Sequence, residues 1–154
     1  MTIINLPIVS KKRECGTCTK CCEGWLFGDV RGHEMYPGKP CFFLEIGIGK
    51  PSGCSDYENR PDYPCKQYRC FWIADENIPD EFKPEVSGVI LDMMKIKGFD
   101  ALRLIPAPND PDVDMLTWAF KHVFSTGIDN MVWTIKEQRH WIGTVEFVEM
   151  MNNG

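Results

Sequence analysis

Apolar positions in the C-terminal half of the chain recur with two different periods. From Val86 to Lys97 the chain reads VSGVILDMMKIK. Val89, Leu91, Met93 and Lys95 fall on one side of an extended chain, and Ile90, Asp92, Met94 and Ile96 on the other. The alternation is imperfect, but Gly88 and Gly98 bracket the run and β-branched residues recur in it, so it predicts a strand with one well-covered face. Gly98-Phe99-Asp100 turns the chain into a second strand, Ala101–Pro106, where Leu102 and Leu104 alternate with Arg103 and Ile105. The period then lengthens. Asp110-Pro111 offers a carboxylate at a helix N-cap and a proline at the first helical position. Val113, Leu116, Phe120, Val123 and Phe124 follow at intervals of three and four, and Gly127 supplies a stop, which predicts a helix over Pro111–Ser125. Met131–Lys136 (MVWTIK) and Trp141–Glu149 (WIGTVEFVE) read as two further strands, separated by the polar, turn-like Glu137–His140. Strand, strand, helix, strand, strand predicts a small antiparallel sheet with one covering helix, an α+β layer over residues 86–150.

The N-terminal half has no such periodicity. Between Cys15 and Cys70, glycines and prolines recur every few residues, leaving room for turns, one short helix near Thr17–Glu23 and a strand-like piece at Cys41–Ile46. Ile3–Val9 reads as a short strand broken by Pro7, and Asn77–Pro84 as a proline-bounded linker. A chain of 154 residues matches a single domain. The expected fold is therefore one α+β domain in which an irregular cysteine-rich lobe, residues 15–73, packs on the sheet and helix. So little regular structure requires cross-links, and a bound metal supplies them.

Charge narrows the partners. The formal net charge is −5; residues 1–77 carry ten basic and ten acidic side chains, so the whole deficit lies in the cysteine-free half. An acidic chain lacks the basic footprint that nonspecific nucleic-acid binding needs, and Lys11-Lys12-Arg13 reads as a solvated basic approach to the cysteines. Met1–Ser10 has no basic region before its apolar residues, and no run approaches the ~20 apolar residues that span a bilayer, so neither a signal peptide nor a membrane partner is expected. The expected location is the cytoplasm, where thiols stay reduced.

All eight cysteines fall between residues 15 and 70. Cys15-Gly-Thr-Cys18-Thr-Lys-Cys21-Cys22 overlaps two C-x-x-C loops, a spacing that lets thiolates converge on one metal. Three such thiols serve an iron–sulfur cluster as well as a tetrahedral zinc site, with a fourth ligand from a remote residue. Cys22 complicates either arrangement, because adjacent side chains diverge. It points to a second site, to a multinuclear centre or to a buried thiol without a metal. Cys41, Cys54, Cys65 and Cys70 follow, and the last pair, four residues apart, does not make a second zinc-ribbon knuckle. Lys20, Arg60, Lys66 and Arg69 lie near the thiols in sequence and could offset their charge.

In order, Cys15-x-x-Cys18-x-x-Cys21-Cys22, Cys41-Phe-Phe-Leu, and Cys54-x-x-Tyr57-x-x-Arg60-Pro61-x-x-x-Cys65-x-x-Tyr68-x-Cys70 resembles the CxxCxxCC cysteine-cluster family, also called YkgJ-like, described as a zinc- or iron-chelating domain. The resemblance covers residues 15–73 and every cysteine. It implies that Cys15, Cys18, Cys21, Cys22, Cys41, Cys54, Cys65 and Cys70 are the metal-binding set, with Tyr57, Arg60 and Pro61 as structural support. One relative, the flagellin lysine methylase, sets the same signature beside a longer chain and is associated with an iron–sulfur cluster and S-adenosylmethionine. Methyl transfer is not carried over to this chain.

Other constellations carry less. His33-Glu34 lies within the cysteine region as an alternative ligand, whereas His122 and His140 are remote from the thiols in sequence. A Cys/His nucleophilic pair needs one activated thiolate rather than a crowd of competing ones. Asp110, Asp112 and Asp114 read as capping residues. Trp25, Phe27, Phe71 and Trp72 flank the cysteines and are expected to shield a centre from water. The expected function is a small metal-binding protein that holds zinc or iron, the iron as an iron–sulfur centre, through clustered thiolates. The alternatives are an iron–sulfur redox or cofactor-dependent enzyme and an interaction module built on structural zinc, with a protein partner left open.

Overall fold

The structure is a computed structural model that describes residues 13–45 and 53–154. The expected strand at Ile3–Val9, Lys11 and Lys12, and the end of the strand-like piece at Ile46 lie outside the described residues. A two-stranded hairpin, β1 (Gly28–Val30) and β2 (His33–Met35), belongs to the N-terminal lobe. The α+β layer contains β3 (Val89–Ile96), β4 (Phe99–Pro106), β5 (Met131–Ile135) and β6 (Gln138–Ile142), hydrogen-bonded in that order. Four helices accompany them: α1 (Phe71–Ala74), α2 (Pro84–Ser87), α3 (Val113–Ser125) and α4 (Val145–Asn153).

Each antiparallel pair is closed by a two-residue turn in the left-handed region: Arg31-Gly32, Lys97-Gly98 and Lys136-Glu137. Such turns match the right-handed twist of the strands they join. The third one corrects the sequence reading, since Gln138–His140 is strand rather than turn. The sheet is also mixed rather than wholly antiparallel. β4 and β5 run parallel, because α3 carries the chain back across the sheet between them.

The predicted helix is present but starts two residues late. Asp112, not Asp110, caps it, with the Met115 amide donating to Oδ1 at 2.8 Å. The strand expected over Trp141–Glu149 ends at Ile142, and α4 follows. Thr144 takes the N-cap by accepting from the Phe147 amide at 3.3 Å, and Phe147 is fully buried. Helix wins there because Phe147, Met150 and Met151, spaced by three and four, all reach one face of the sheet. The Val86–Lys97 strand begins only at Val89, since Pro84–Ser87 forms a helical turn that ends at Gly88 in the left-handed region.

Strand register sorts the sheet into two faces. On one, Val89, Leu91, Leu102, Leu104 and Met131 pack with Met115, Ala119 and Val123 of α3. On the other lie Ile90, Asp92, Met94, Ala101, Arg103, Ile105, Val132 and Thr134. Phe147 of α4 covers Ala101 and Val132 at one end of this second face. The cysteine lobe approaches the other end, where Leu26, Met35, Cys70 and Trp72 join the same buried cluster as the sheet. Lobe and layer thus share one core. No helix among the described residues is long and apolar enough to cross a membrane.

Candidate metal centre

The first cysteine run is shaped by tight turns. The Cys18 amide donates to the Cys15 carbonyl at 3.0 Å, and Lys20–Cys22 forms a single 3-10 turn in place of the short helix expected near Thr17–Glu23. After it, Gly24 lies at φ +89°, and a Cβ there would stand 2.9 Å from the Lys39 carbonyl carbon. This close crossing lets the Gly38 amide reach the Gly24 carbonyl at 3.1 Å and the Cys41 amide reach the Cys22 carbonyl at 2.8 Å. Cys41 is thereby set beside Cys22. The strand-like piece around Cys41 reduces to an isolated bridge between Leu44 and Cys54, extended by the Ser55 amide donating to Phe43 at 2.8 Å. Cys65 sits in the irregular turn Asp62–Lys66, and buried Cys70 precedes α1.

Arg13 joins the two ends of this lobe. Its Nη1 donates to the carbonyls of Trp72 (2.8 Å) and Asp75 (3.0 Å), and its Nη2 to those of Glu76 (3.0 Å) and Ile78 (2.7 Å). The guanidinium also stacks 4.4 Å from the centre of the Trp72 ring. Of the Lys11-Lys12-Arg13 run, Arg13 is therefore a staple rather than a solvated charge. It holds the start of the first cysteine run against the segment that follows Cys70.

All eight cysteines are free thiols, and all eight line one cavity of about 910 Å³. Its floor is the second face of the sheet, through Met94, Ile105, Val132 and Thr134. Below the thiols, Asp92 accepts from Arg103 at 2.9 and 2.6 Å and from the Tyr68 hydroxyl at 3.0 Å. Burial and Asp92 together push the Tyr68 hydroxyl well above its ordinary range, so it remains a donor. This network fixes Tyr68, two residues before Cys70, to the sheet.

Burial also raises the thiols, and their neighbours add to it. Cys22 is pushed up to about 12, first by desolvation and then by Cys41, Cys65 and Cys54. Cys70 rises to about 11 through burial, although the Ile73 and Trp72 amides beside its sulfur oppose the shift. Cys21 is raised well above its usual value by burial and then by Cys70. Cys15, Cys18 and Cys65 move the same way, burial again leading. Three cations oppose these shifts: Arg60 at Cys15 and Cys65, Lys83 at Cys15 and Cys18, and Arg31 at Cys65.

Of the basic residues expected to balance the thiols, only Arg60 has that place. It stacks 3.6 Å from the centre of the Tyr57 ring and donates to the Tyr57 carbonyl at 2.9 Å. Lys20 pairs with Glu23 and Lys66 with Asp62, while Arg69 is exposed. Lys83 and Arg31 were not visible as site residues in sequence, because one lies beyond the last cysteine and the other in a hairpin turn. No histidine lines the cavity among the described residues; His33 is exposed and stacks on Phe42. Trp25, Phe27 and Trp72 all line it, although Phe27 is 80% exposed.

Donor chemistry suits a thiophilic metal: eight sulfurs, no competing imidazole among the described residues, and cations beside them. The indole N–H groups of Trp25 and Trp72 are buried without a partner among the described residues, and both residues line the cavity. Anionic sulfur is the acceptor such donors lack. The thiols are gathered but not closed on a point, since no three His, Cys, Asp or Glu side chains among the described residues are placed to hold one metal ion. Comparison with models of known protein families, with curated proteins and with solved structures gave no match. Fold and cavity define the class by themselves: an α+β domain with a thiol-lined cavity on one sheet face.

Proposed function

We propose that this chain is a metal-binding protein of the reducing cytoplasm, with its cysteines holding zinc or an iron–sulfur centre as the resemblance to the CxxCxxCC cysteine-cluster family implies. One observation carries the reading: thiols from five separate segments, with no disulfide between them, line a single cavity. Thiolates crowded this closely repel one another and resist burial, so the arrangement is costly unless a cation shares it. Zinc bound there is a structural cross-link, and an iron–sulfur centre adds one-electron chemistry. The chain's own contribution is positional. Arg13 holds the first run beside Cys70, the Cys22–Cys41 backbone bond sets a second pair, and Arg60, Lys83 and Arg31 temper the negative charge.

Elemental analysis and absorption of anaerobically purified protein test the proposal. Stoichiometric zinc in colourless protein, or iron with labile sulfide and absorption near ~400 nm, is the expected result. Protein that is folded, fully thiol-titratable and unable to take up either metal overturns it.

A further inference from the structure

We propose that the eight thiols form two separate four-cysteine centres, one from Cys15, Cys18, Cys21 and Cys70 and the other from Cys22, Cys41, Cys54 and Cys65, joined by the Cys21–Cys22 peptide bond. The inference rests on the metal-binding reading and assigns its ligands.

Backbone contacts divide the lobe in this way. Cys15 and Cys18 share one turn, and Arg13, two residues before Cys15, is bonded to four carbonyls in the segment Trp72–Ile78 that follows Cys70. Those bonds deliver Cys70 to the first run across more than fifty residues of sequence. Independently, the Cys41 amide is bonded to the Cys22 carbonyl, the Leu44 amide to the Cys41 carbonyl at 3.1 Å, and Leu44 bridges to Cys54. A continuous chain of backbone bonds thus runs from Cys22 through Cys41 to Cys54.

Side chains follow the backbone. Cys21 and Cys22 occupy consecutive positions of a 3-10 turn, where successive side chains point about 120° apart. The thiols that act on Cys21 are Cys70, Cys22, Cys18 and Cys15, in that order, and those that act on Cys22 are Cys41, Cys65, Cys54 and Cys15. Cys41 and Cys54 in turn act on Cys65, and Cys15 and Cys18 on Cys70. Cys21 with the adjacent Cys22, and Cys22 with Cys15, the weakest of its four thiol neighbours, cross the division. The cations split similarly: Lys83 lies with Cys15 and Cys18, Arg31 with Cys65, and Arg60 beside one thiol of each set. Glycine at position 53 serves the same packing, because a Cβ there would stand 2.9 Å from Thr19 Cγ2.

Zinc(II) added to the full-length, reduced, metal-free chain and counted by native mass spectrometry tests the division. Wild type is expected to bind two zinc ions, one per four thiolates. Cys70→Ser combined with Cys21→Ser removes one centre and leaves the other, as does Cys65→Ser combined with Cys22→Ser. Cys70→Ser combined with Cys65→Ser breaks both, and zinc affinity falls at least about 100-fold at each. A wild-type count of one zinc overturns the two-centre arrangement while leaving metal binding intact; no zinc, and no iron–sulfur centre on reconstitution with ferrous iron and sulfide, overturns both. Equal loading of the within-set and cross-set double variants also overturns the assignment. The wild-type count needs no variant to fold.

Discussion

Replacing Arg103 by leucine isolates a carboxylate that has almost no access to water. Asp92 is 4% exposed at its side chain, and Arg103, 33% exposed, supplies two of its three hydrogen bonds. Tyr68 alone remains as a donor in the variant. Breaking a buried pair by removing one partner costs about 3–5 kcal/mol. The partly solvated guanidinium does not reduce that figure, because the group left behind is the buried one. The reverse change, Asp92→Leu, strands the more exposed partner and costs about 2 kcal/mol, below the full buried-pair penalty. For a chain of this size each kcal/mol corresponds to roughly 2–4 °C. Arg103→Leu is therefore expected to melt about 10 °C lower, and Asp92→Leu about half as far. In the double leucine variant no charge is stranded, and the stability returns except for the bond that the Tyr68 hydroxyl loses, about 1 kcal/mol.

The assay is thermal unfolding followed by circular dichroism, with all four proteins at the same metal loading. Two results refute the reasoning: an Arg103→Leu melting point within about 1 °C of wild type, or a double variant whose loss equals the sum of the single losses. Either would mean that the Asp92 pair is a bystander and does not couple the cysteine lobe to the sheet.

Arg13→Ala removes a part-buried guanidinium with five hydrogen-bond contacts, so a loss of about 3 kcal/mol and weaker zinc retention against a chelator are expected, while equal retention would separate the staple from the site. Gly24→Ala places a Cβ against the Lys39 carbonyl at positive φ and should cost about 1–3 kcal/mol by denaturant titration, with zinc lost first from the Cys22 and Cys41 side. Because burial raises the thiols, they enter the metal complex from the protonated form; loading releases protons, and affinity should rise about tenfold per thiol for each pH unit, as read by zinc competition between pH 6 and pH 8. A flat profile would show that the thiols do not carry the metal. Asp112→Ala removes the cap of α3 and should lower stability by about 1 kcal/mol without changing metal uptake.

Regular elements were legible where a single period ran unbroken. The spacing of Val113, Leu116, Phe120 and Val123 specified α3, and only its start moved, because Asp112 rather than Asp110 presents a carboxylate to the Met115 amide. β3 and β4 were legible from alternation and the intervening glycine. In Trp141–Glu149 two periods overlap: Trp141 and Ile142 end a strand, while Phe147, Met150 and Met151 already count by three and four. Thr144 was the available signal, a hydroxyl at the position where the period changes. The parallel pairing of β4 and β5 was not legible, since strand order alone does not say which way a helical crossover returns. Cysteine spacing similarly identified the thiols without saying which remote ones meet the first run. That choice depends on Arg13, which local charge presents as a solvated residue, and on Gly24, whose close approach exists only in three dimensions.

The two halves of the chain solve the same problem by different means. On the α3 face, the sheet is sealed by apolar side chains of the sheet and α3, with Phe82 edge-on to Trp118 and Phe71 edge-on to His122. On the opposite face, Asp92 and Arg103 interrupt what would otherwise be an apolar surface, a costly choice for a sheet that merely required covering. The cost is rational if that face must hold one element at a defined place. Tyr68 is that element, bonded to Asp92 and two residues from Cys70. Cys70 in turn faces Cys21, and Cys21 is joined by a peptide bond to Cys22, around which Cys41, Cys54 and Cys65 gather. A short path of bonds and neighbouring thiols therefore leads from the sheet to every cysteine, through a lobe that has little secondary structure of its own. In this arrangement the sheet serves as the reference frame, and Cys21-Cys22 is where its positional order divides between two sets of thiols.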